Sequence, residues 1–201
     1  MVEHVSRMVD VITVRQHEPR GLGHAVLAAK EAVGPEPFVV YLPDEILIGE
    51  PSVTSQMLST YERLGNVIGV IEVDWADVSR YGVVEGEQIS DREVRLKRCV
   101  EKPSQENAPS NLAFVGPYVF SPTIFDCLEA IEAGAIGELQ LTDGIDLLAQ
   151  REPVHAYRFD GERFDAGAPL ELLKTSVELA LRRPEYAHEM QRWIKKLANL
   201  L

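Results

Sequence analysis

The chain has 201 residues, a net charge of −12 at pH 7 and a hydrophobic content of 45%. These values are typical of globular proteins, and a surface this acidic repels phosphate backbones, which argues against nucleic acid as a partner. The longest apolar runs are far shorter than the roughly 20 residues that span a bilayer. Because the first seven residues also lack the apolar core of a secretory signal, we expect a cytoplasmic protein with no membrane partner.

Strand-like and helical patterns alternate over the first 72 residues, which is typical of a parallel α/β sheet. Default crossover rules then predict that the second and third strands are parallel. The predicted strands are Val11–Val14, Phe38–Leu42 and Val67–Glu72, and the helices between them are His24–Val33 and Ser52–Leu64.

From Tyr81 onward the strands become shorter, and residues of about 81–120 are interpreted as an antiparallel β insertion. The chain contains no repeat or flexible linker, so we predict one mixed α/β domain over residues 1–201, with helices closing it at 170–201. The predicted elements after Tyr81 are the strands Val83–Glu87, Val94–Val100, Ala113–Phe120 and Val154–Phe159, and the helices Pro122–Ala133, Thr142–Gln150, Leu170–Arg183 and Pro184–Leu201.

A glycine-containing loop, QHEPRGLGHA at residues 16–25, follows the first predicted strand and begins a helix. Backbone N–H groups and the positive end of a helix dipole can together hold an anion or a base edge. A glycine loop between a strand and a helix is more often a simple connection. Both interpretations remain open at this point.

Two aspartates follow strand-like stretches. Asp44 comes directly after Leu42-Pro43, and Asp165 comes after Phe164. Two carboxylates at the carboxyl ends of strands could share one Mg²⁺, which prefers one or two carboxylates together with water and phosphate oxygens. The alternative is that each aspartate caps a helix or a turn.

The tripeptide Glu101-Lys102-Pro103 ends a predicted strand. A glutamate can accept protons from sugar hydroxyls, and a lysine can attract a phosphate as a point charge. By composition alone, the pair is simply an exposed strand end. The five histidines are scattered without metal-ligand spacing.

Several motifs, in this order and spacing, resemble those of the bacterial UTP:glucose-1-phosphate uridylyltransferases. The similarity covers about residues 5–180, and its most specific parts are the last three motifs before Asp165. The motifs are VRQ at 14–16, GLGHA at 21–25, LPD at 42–44, YG at 81–82, EKP at 101–103, APSNLA at 108–113, GELQLTD at 137–143 and DAG at 165–167.

This resemblance implies a three-layer nucleotide-diphospho-sugar transferase fold with a Rossmann-like mixed sheet. It also implies a reaction in which the phosphate oxygen of glucose 1-phosphate attacks the α-phosphorus of UTP, giving UDP-glucose as pyrophosphate leaves. Asp44 and Lys102 would act in catalysis. By the same resemblance, Gln16 and Gly21 would face the uracil, Gly82 and Glu101 the sugar, Lys102 the sugar phosphate, and Asp44 and Asp165 would hold Mg²⁺.

The sequence departs from the family at two places. Residues 168–171 are APLE where relatives usually have a Gly-Tyr pair, and the chain begins in the helix that would precede their third strand. The resemblance therefore implies an N-terminally truncated member without the glycine-rich phosphate loop. Two hypotheses follow: a family transferase whose missing segment is absent through truncation, a misassigned start or a separate polypeptide, or a catalytically impaired homologue that acts as a sugar-nucleotide-binding or regulatory module.

The expected truncation would leave strand edges unpaired, and such edges recruit other chains. We therefore expect Val11–Val14 to pair directly beside Phe38–Leu42, or another subunit to fill the gap. A homo-oligomer or a completing polypeptide is predicted, with the amphipathic helix Pro184–Leu201 as an additional contact.

Overall fold

A computed structural model describes residues 7–132 and 137–200. By spatial contacts the chain divides into two compact units, of which the second contains residues 41–53 and those from 160 onward. Ala133 and Leu201, where two predicted helices end, lie outside the described residues. No helix of the described part is both long and apolar enough to cross a membrane. The single-domain organisation stays a prediction.

The first unit is built on a six-stranded sheet whose order is β1-β6-β3-β7-β5-β4. Most residues of its central strands, Asn66–Glu72 and Leu112–Phe120, are buried, as their runs of Val, Ile and Phe lead one to expect. The bounds are β1 Phe38–Val40, β3 Asn66–Glu72, β4 Gly82–Gln88, β5 Glu93–Glu101, β6 Leu112–Phe120 and β7 Val154–Arg158.

The sheet is mixed, and its strand order differs from the simplest expectation. β1 and β3 run in the same direction, as predicted, but they are not neighbours, because β6 lies between them and is antiparallel to both. β3 is instead parallel to β7. The hairpin of β4 and β5 belongs to this same sheet, since β5 pairs with β7 and β4 also pairs with β6.

The predicted strand Val11–Val14 is wrong. This stretch has no regular secondary structure, and its Val11 and Ile12 side chains are 82% and 73% exposed. Among the described residues β1 pairs with β6 alone, so the expected pairing beside Phe38–Leu42 is also wrong. A strand exists only where a neighbour takes up its backbone hydrogen bonds, and no described segment does so for Val11–Val14.

The helices of the first unit lie at the predicted positions with boundaries shifted by a few residues, except that the predicted helix His24–Val33 is divided at Ala29 into two. Their apolar faces form the core against the sheet; for example, the rings of Phe38 and Phe125 stack at 4.9 Å. The helix bounds are α1 Leu22–Ala28, α2 Lys30–Val33, α3 Val53–Leu64, α4 Thr123–Ala130 and α5 Leu141–Arg151.

A carboxylate that accepts from three neutral side chains stabilises one end of this sheet. Glu152 accepts hydrogen bonds from Asn66 Nδ2 at 2.8 Å, Ser121 Oγ at 2.7 Å and Thr123 Oγ1 at 2.5 Å. The Asn66 Oδ1 atom accepts from the Ser121 N–H at 2.7 Å. This cluster ties the start of β3 to the end of β6 and to the start of α4.

The second unit pairs two strands and adds a helical hairpin. β2 was not predicted from the sequence; it pairs antiparallel with β8, with Glu45 opposite Asp165. Both helices begin at a proline, which suits the first turn because its missing N–H has no partner there anyway. The bounds are β2 Glu45–Ile48, β8 Glu162–Asp165, α6 Pro169–Arg182 and α7 Pro184–Ala198.

Candidate functional site

The end of β5 carries the glutamate and lysine that the sequence singled out. Glu101 pairs with Gly82 in the ladder between β4 and β5, so the three predicted sugar-binding residues lie together at one end of this hairpin. Lys102 Nζ is 3.6 Å from Glu101 Oε1, and the two side chains are 63% and 34% exposed. A carboxylate and an ammonium group are therefore accessible side by side.

Gly82 has a packing reason to be glycine. A Cβ atom at this position would lie 1.9 Å from Cζ of the Phe114 ring, so a side chain here would require the ring to move. The ring lies against the backbone of β4 beside Glu101. This contact accounts for the glycine without a ligand, and the approach of a sugar to its backbone stays a prediction.

Lys102 adopts an unusual backbone conformation. Its φ angle is 43°, in the left-handed region that non-glycine residues rarely occupy. Its N–H donates to Tyr81 O at 3.0 Å, which fixes the chain at the end of the hairpin. Such conformations carry about 1 to 3 kcal/mol of strain and concentrate at functional sites. The backbone thus indicates, independently of the family resemblance, that Lys102 is a candidate functional residue.

The glycine loop before α1 is organised by one glutamine. Gln16 Nε2 donates to Gly21 O at 3.1 Å and to His24 Nδ1 at 2.8 Å. In this arrangement the His24 ring accepts at Nδ1, and a neutral ring carries its proton on Nε2. Because α1 has only seven residues, these side-chain bonds organise the loop more than a helix dipole does. The predicted nucleotide-binding residues Gln16 and Gly21 are therefore in direct contact.

The segment 137–143, recognised in the sequence only as a family signature, links the glycine loop to the end of β5. The Gly23 N–H donates to Leu139 O at 2.9 Å, and a Cβ at Gly21, whose φ is 97°, would lie 2.6 Å from the same oxygen. Three residues further along, Thr142 Oγ1 donates to Glu101 Oε2 at 2.6 Å. Sequence reasoning gave Thr142 no role, although it lies within the quoted GELQLTD motif.

Acidic side chains surround this part of β5. Burial raises the pKa of Asp143, and the nearby charge of Glu101 raises it further. Burial is also the main cause that raises the pKa of Asp146, which accepts a hydrogen bond from the Cys99 N–H at 2.5 Å. Local electrostatics here disfavour additional negative charge, so a phosphate near this strand end would need the Lys102 ammonium.

In the second unit, the two predicted metal ligands converge on one point. A Cβ atom at Gly167 would lie 2.9 Å from Asp44 Oδ2 and 3.2 Å from Asp165 Oδ1. Asp44 lies in the turn immediately before β2, and its carbonyl accepts from the Ala166 N–H at 2.8 Å. Asp165 Oδ1 accepts from the Gly167 N–H at 2.9 Å. Asp165 therefore also stabilises a turn, which was the alternative interpretation of this residue.

An arginine that the sequence analysis did not single out contacts Asp165 and also Glu45, the residue after Asp44. Arg163 binds Glu45 with two hydrogen bonds of 2.5 and 2.6 Å, and its Nη2 is 3.3 Å from Asp165 Oδ2. The Arg163 and Glu45 side chains are only 14% and 10% exposed. Burial raises the pKa of Glu45, and the hydrogen bonds from Arg163 oppose that effect. No sequence signal identified Arg163, because the pairing of β2 with β8 that brings it close to Glu45 was itself not predicted.

The charge and donor set of this cluster suit a hard divalent cation. Asp44, Glu45 and Asp165 outnumber the single guanidinium of Arg163, which leaves the cluster negative. Within residues 7–132 and 137–200, no group of three or more His, Cys, Asp or Glu side chains could hold a metal ion. Two converging carboxylates nevertheless match the needs of Mg²⁺, which completes its shell with water and phosphate oxygens.

Comparison with known proteins gives a consistent result. A family model described as nucleotidyl transferase matches residues 2–181. A UTP--glucose-1-phosphate uridylyltransferase of Staphylococcus epidermidis is 42% identical over 197 residues, which is 98% of this chain and 68% of the relative.

Solved structures agree with this. A UTP-bound UGPase from Acinetobacter baumannii has a TM-score of 0.85 and 38% identity, covering 94% of this chain and 66% of the other. A UDP-glucose pyrophosphorylase complexed with UDP-glucose has a TM-score of 0.80 and 39% identity, covering 85% and 66%. The chain thus spans about two thirds of the length of the proteins it matches.

Proposed function

Because the chain belongs to the nucleotidyl transferase family, we propose that it takes part in the reaction of its uridylyltransferase relatives. In that reaction an oxygen of the glucose 1-phosphate phosphate forms a bond to the α-phosphorus of UTP. The bond between the α-phosphorus and the bridging oxygen breaks, and pyrophosphate leaves with UDP-glucose as the other product. UTP, glucose 1-phosphate and UDP-glucose are the proposed ligands.

The observation that carries this proposal is the neighbourhood of Glu101 and Lys102 at the end of β5. A sugar phosphate combines hydroxyl donors with a negative charge, and the pair offers an acceptor and a cation 3.6 Å apart. The left-handed backbone of Lys102 supports a functional role for this position. In this proposal Glu101 accepts from sugar hydroxyls, while Lys102 attracts the phosphate and offsets the charge that develops on it.

For the nucleotide, we assign the uracil to the loop of Gln16 and Gly21. Gln16 Nε2 is already engaged with Gly21 O and His24 Nδ1. The amide oxygen of Gln16 is then the group that can accept from the N3–H of uracil. Cytosine has an acceptor at that ring nitrogen, so this geometry favours uracil over cytosine.

Asp44 and Asp165 are the proposed ligands of Mg²⁺, supported by the convergence of their oxygens beside Gly167. When bound, the ion would neutralise charge on the nucleotide phosphates. Arg163 would keep the Asp165 carboxylate in place through its contact with Oδ2.

A completing polypeptide or a second copy of the chain remains part of the proposal. It is supported by the exposed apolar side chains of Met8, Val9, Val11 and Ile12, which lie 60% to 82% exposed. It is further supported by β1, which pairs on one side with β6 and has no second neighbour among the described residues. The cytoplasmic location stays a prediction.

The experiment that tests this function measures pyrophosphate release from UTP and glucose 1-phosphate, with and without Mg²⁺, together with calorimetric binding of UDP-glucose. We expect UDP-glucose binding that Mg²⁺ strengthens in the wild type but not in Asp44→Asn. The matched control is Asp126→Asn, an exposed aspartate near Lys30, which should keep the Mg²⁺ effect. An unchanged Mg²⁺ dependence in Asp44→Asn would contradict the metal assignment, and absence of UDP-glucose binding in the wild type would contradict the function.

A further inference from the structure

On one side of its last residues, β5 packs against a helix instead of pairing with another strand. β4 pairs with β5 along its whole length, from Gly82 opposite Glu101 to Gln88 opposite Val94. On the other side, β7 pairs only with Glu93–Arg95. Beyond Arg95, within the described part of the chain, that side of β5 is covered by α5.

Two side chains of α5 hydrogen-bond to the end of this strand, one to its backbone and one to a side chain. Thr142 and Asp146 are four residues apart and therefore project from the same face of the helix. Asp146 Oδ1 accepts from the Cys99 N–H at 2.5 Å, and Thr142 Oγ1 donates to Glu101 Oε2 at 2.6 Å. The helix thus holds β5 at two points that are two residues apart, immediately before Lys102.

The bond from Thr142 acts on one particular oxygen of Glu101. Thr142 is only 4% exposed, so its hydroxyl has little freedom to choose another partner. The other carboxylate oxygen, Oε1, has Lys102 Nζ at 3.6 Å, which is too long for a hydrogen bond. Glu101 is therefore anchored through Oε2, while Oε1 remains available to a ligand.

We propose that Thr142 is a positioning residue for sugar recognition: its hydroxyl fixes Oε2 of Glu101 so that Oε1 accepts from a sugar hydroxyl. This inference rests on the proposed function. Thr142 itself need not touch the ligand, since it acts through Glu101. A threonine that merely stabilises α5 would affect uridine nucleotides with and without a sugar equally.

The test compares binding of UDP-glucose and UDP to the full chain by titration calorimetry. Thr142→Val removes the hydroxyl, and loss of a hydrogen bond to a charged group corresponds to roughly tenfold weaker binding or more. We expect this loss for UDP-glucose, with UDP affected less than about twofold. Thr142→Ser keeps the hydroxyl and should retain the wild-type preference.

A matched control is available in the same unit. Thr123 Oγ1 donates to Glu152 Oε1 at 2.5 Å, a bond of the same chemical kind with no contact to Glu101. Thr123→Val should lower the midpoint of thermal unfolding without changing the ratio of UDP-glucose to UDP affinity. If Thr142→Val does not fold, Thr142→Cys retains a side chain of similar size with only a weak donor, and the same selective loss is expected.

A Thr142→Val/Glu101→Gln double variant completes the test. If Thr142 acts through Glu101, the double variant binds UDP-glucose no more weakly than Glu101→Gln alone. Independent, additive losses would overturn the proposal, as would equal weakening of UDP and UDP-glucose in Thr142→Val. A wild-type chain without preference for UDP-glucose over UDP would overturn the proposed function as well, whereas a wild-type preference that Thr142→Val retains overturns this inference alone.

Discussion

The end of β5 and the paired strands β2 and β8 both present candidate functional side chains, but different forces hold them. Around Gly82 the arrangement depends on shape, because the Phe114 ring fills the space of a side chain. Around Asp165 it depends on charge, because Arg163 joins Glu45 and Asp165. Substitutions that change volume should therefore disturb the first region, and substitutions that change charge should disturb the second.

The largest effect should come from removing the buried charge of the second region. Arg163→Met leaves Glu45 buried without its partner, and breaking a buried ion pair from one side costs about 3 to 5 kcal/mol in unfolding free energy. Urea unfolding of the variant measures this loss. Arg182, which pairs with Glu162 and Glu178 in the same unit but is more exposed, provides the control.

Arg182→Met should shift the urea midpoint much less than Arg163→Met, because exposed ion pairs contribute little. Equal shifts in the two variants would mean that the cluster around Asp165 is not held by its buried charges. The conclusion that charge holds the region around Asp165 would then be wrong.

The next effect tests the first region by volume. Gly82→Ala forces a methyl group against the Phe114 ring, and overpacking of this kind costs about 1 to 3 kcal/mol. The cost should fall in the Phe114→Leu background, where the ring atom at 1.9 Å from the new Cβ is absent. A double-mutant cycle measures the coupling. Additive losses would show that some other contact excludes a side chain at position 82.

Sequence patterns predicted the helices and central strands well. Their apolar periodicity shows which face of an element is buried, whichever element packs against that face. They failed where a strand depends on a distant partner. Val11–Val14 has β-branched residues but no neighbour among the described residues, and β2 exists because β8, more than a hundred residues later, pairs with it. β6 separates β1 from β3 for the same reason.

The candidate site shows the same limit. Motifs identified Glu101, Lys102, Asp44 and Asp165, since short family signatures retain their residue types. The residues that hold two of these in place, Thr142 and Arg163, were not assigned a role. The hydrogen bonds from Thr142 to Glu101 and from Arg163 to Glu45 join segments that lie far apart in the sequence, and no local pattern records such contacts.

A smaller effect concerns the pH dependence of the free energy of unfolding. It adds to the comparison a titratable group of the first unit, because the sheet there buries the neutral side chain of His155. Burial lowers the pKa of His155, and the neighbouring Arg95 lowers it further, while Glu93 opposes them. Within the described part of the chain, its Nδ1 atom is buried without a hydrogen-bond partner. Because the folded-state pKa lies below the unfolded value of 6.5, the unfolded chain takes up the proton first.

The contribution of neutral His155 to the free energy of unfolding is therefore fully present above about pH 6.5. It decreases as the pH falls below that value. The measurement is the thermal midpoint of the wild type and of His155→Gln between about pH 7.5 and about pH 5. The variant should lose less stability across this range. His188→Gln, at an exposed position on α7, is the control and should behave as the wild type. Parallel curves for all three proteins would exclude His155 as the source.

The smallest expected effect tests whether the end of β5 stores strain for function. Lys102→Ala and Lys102→Gly both remove the ammonium group, so both should weaken UDP-glucose binding to a similar extent. Only the alanine retains a Cβ in the left-handed conformation at φ 43°, which glycine adopts without steric cost. We therefore expect Lys102→Gly to be more stable than Lys102→Ala by about 1 kcal/mol, measured by urea unfolding. If the two variants are equally stable, the backbone of residue 102 is not strained, and the geometric argument for its function falls. If they differ in stability but bind UDP-glucose as the wild type does, the strain is real and the charge of Lys102 does not contact the sugar phosphate.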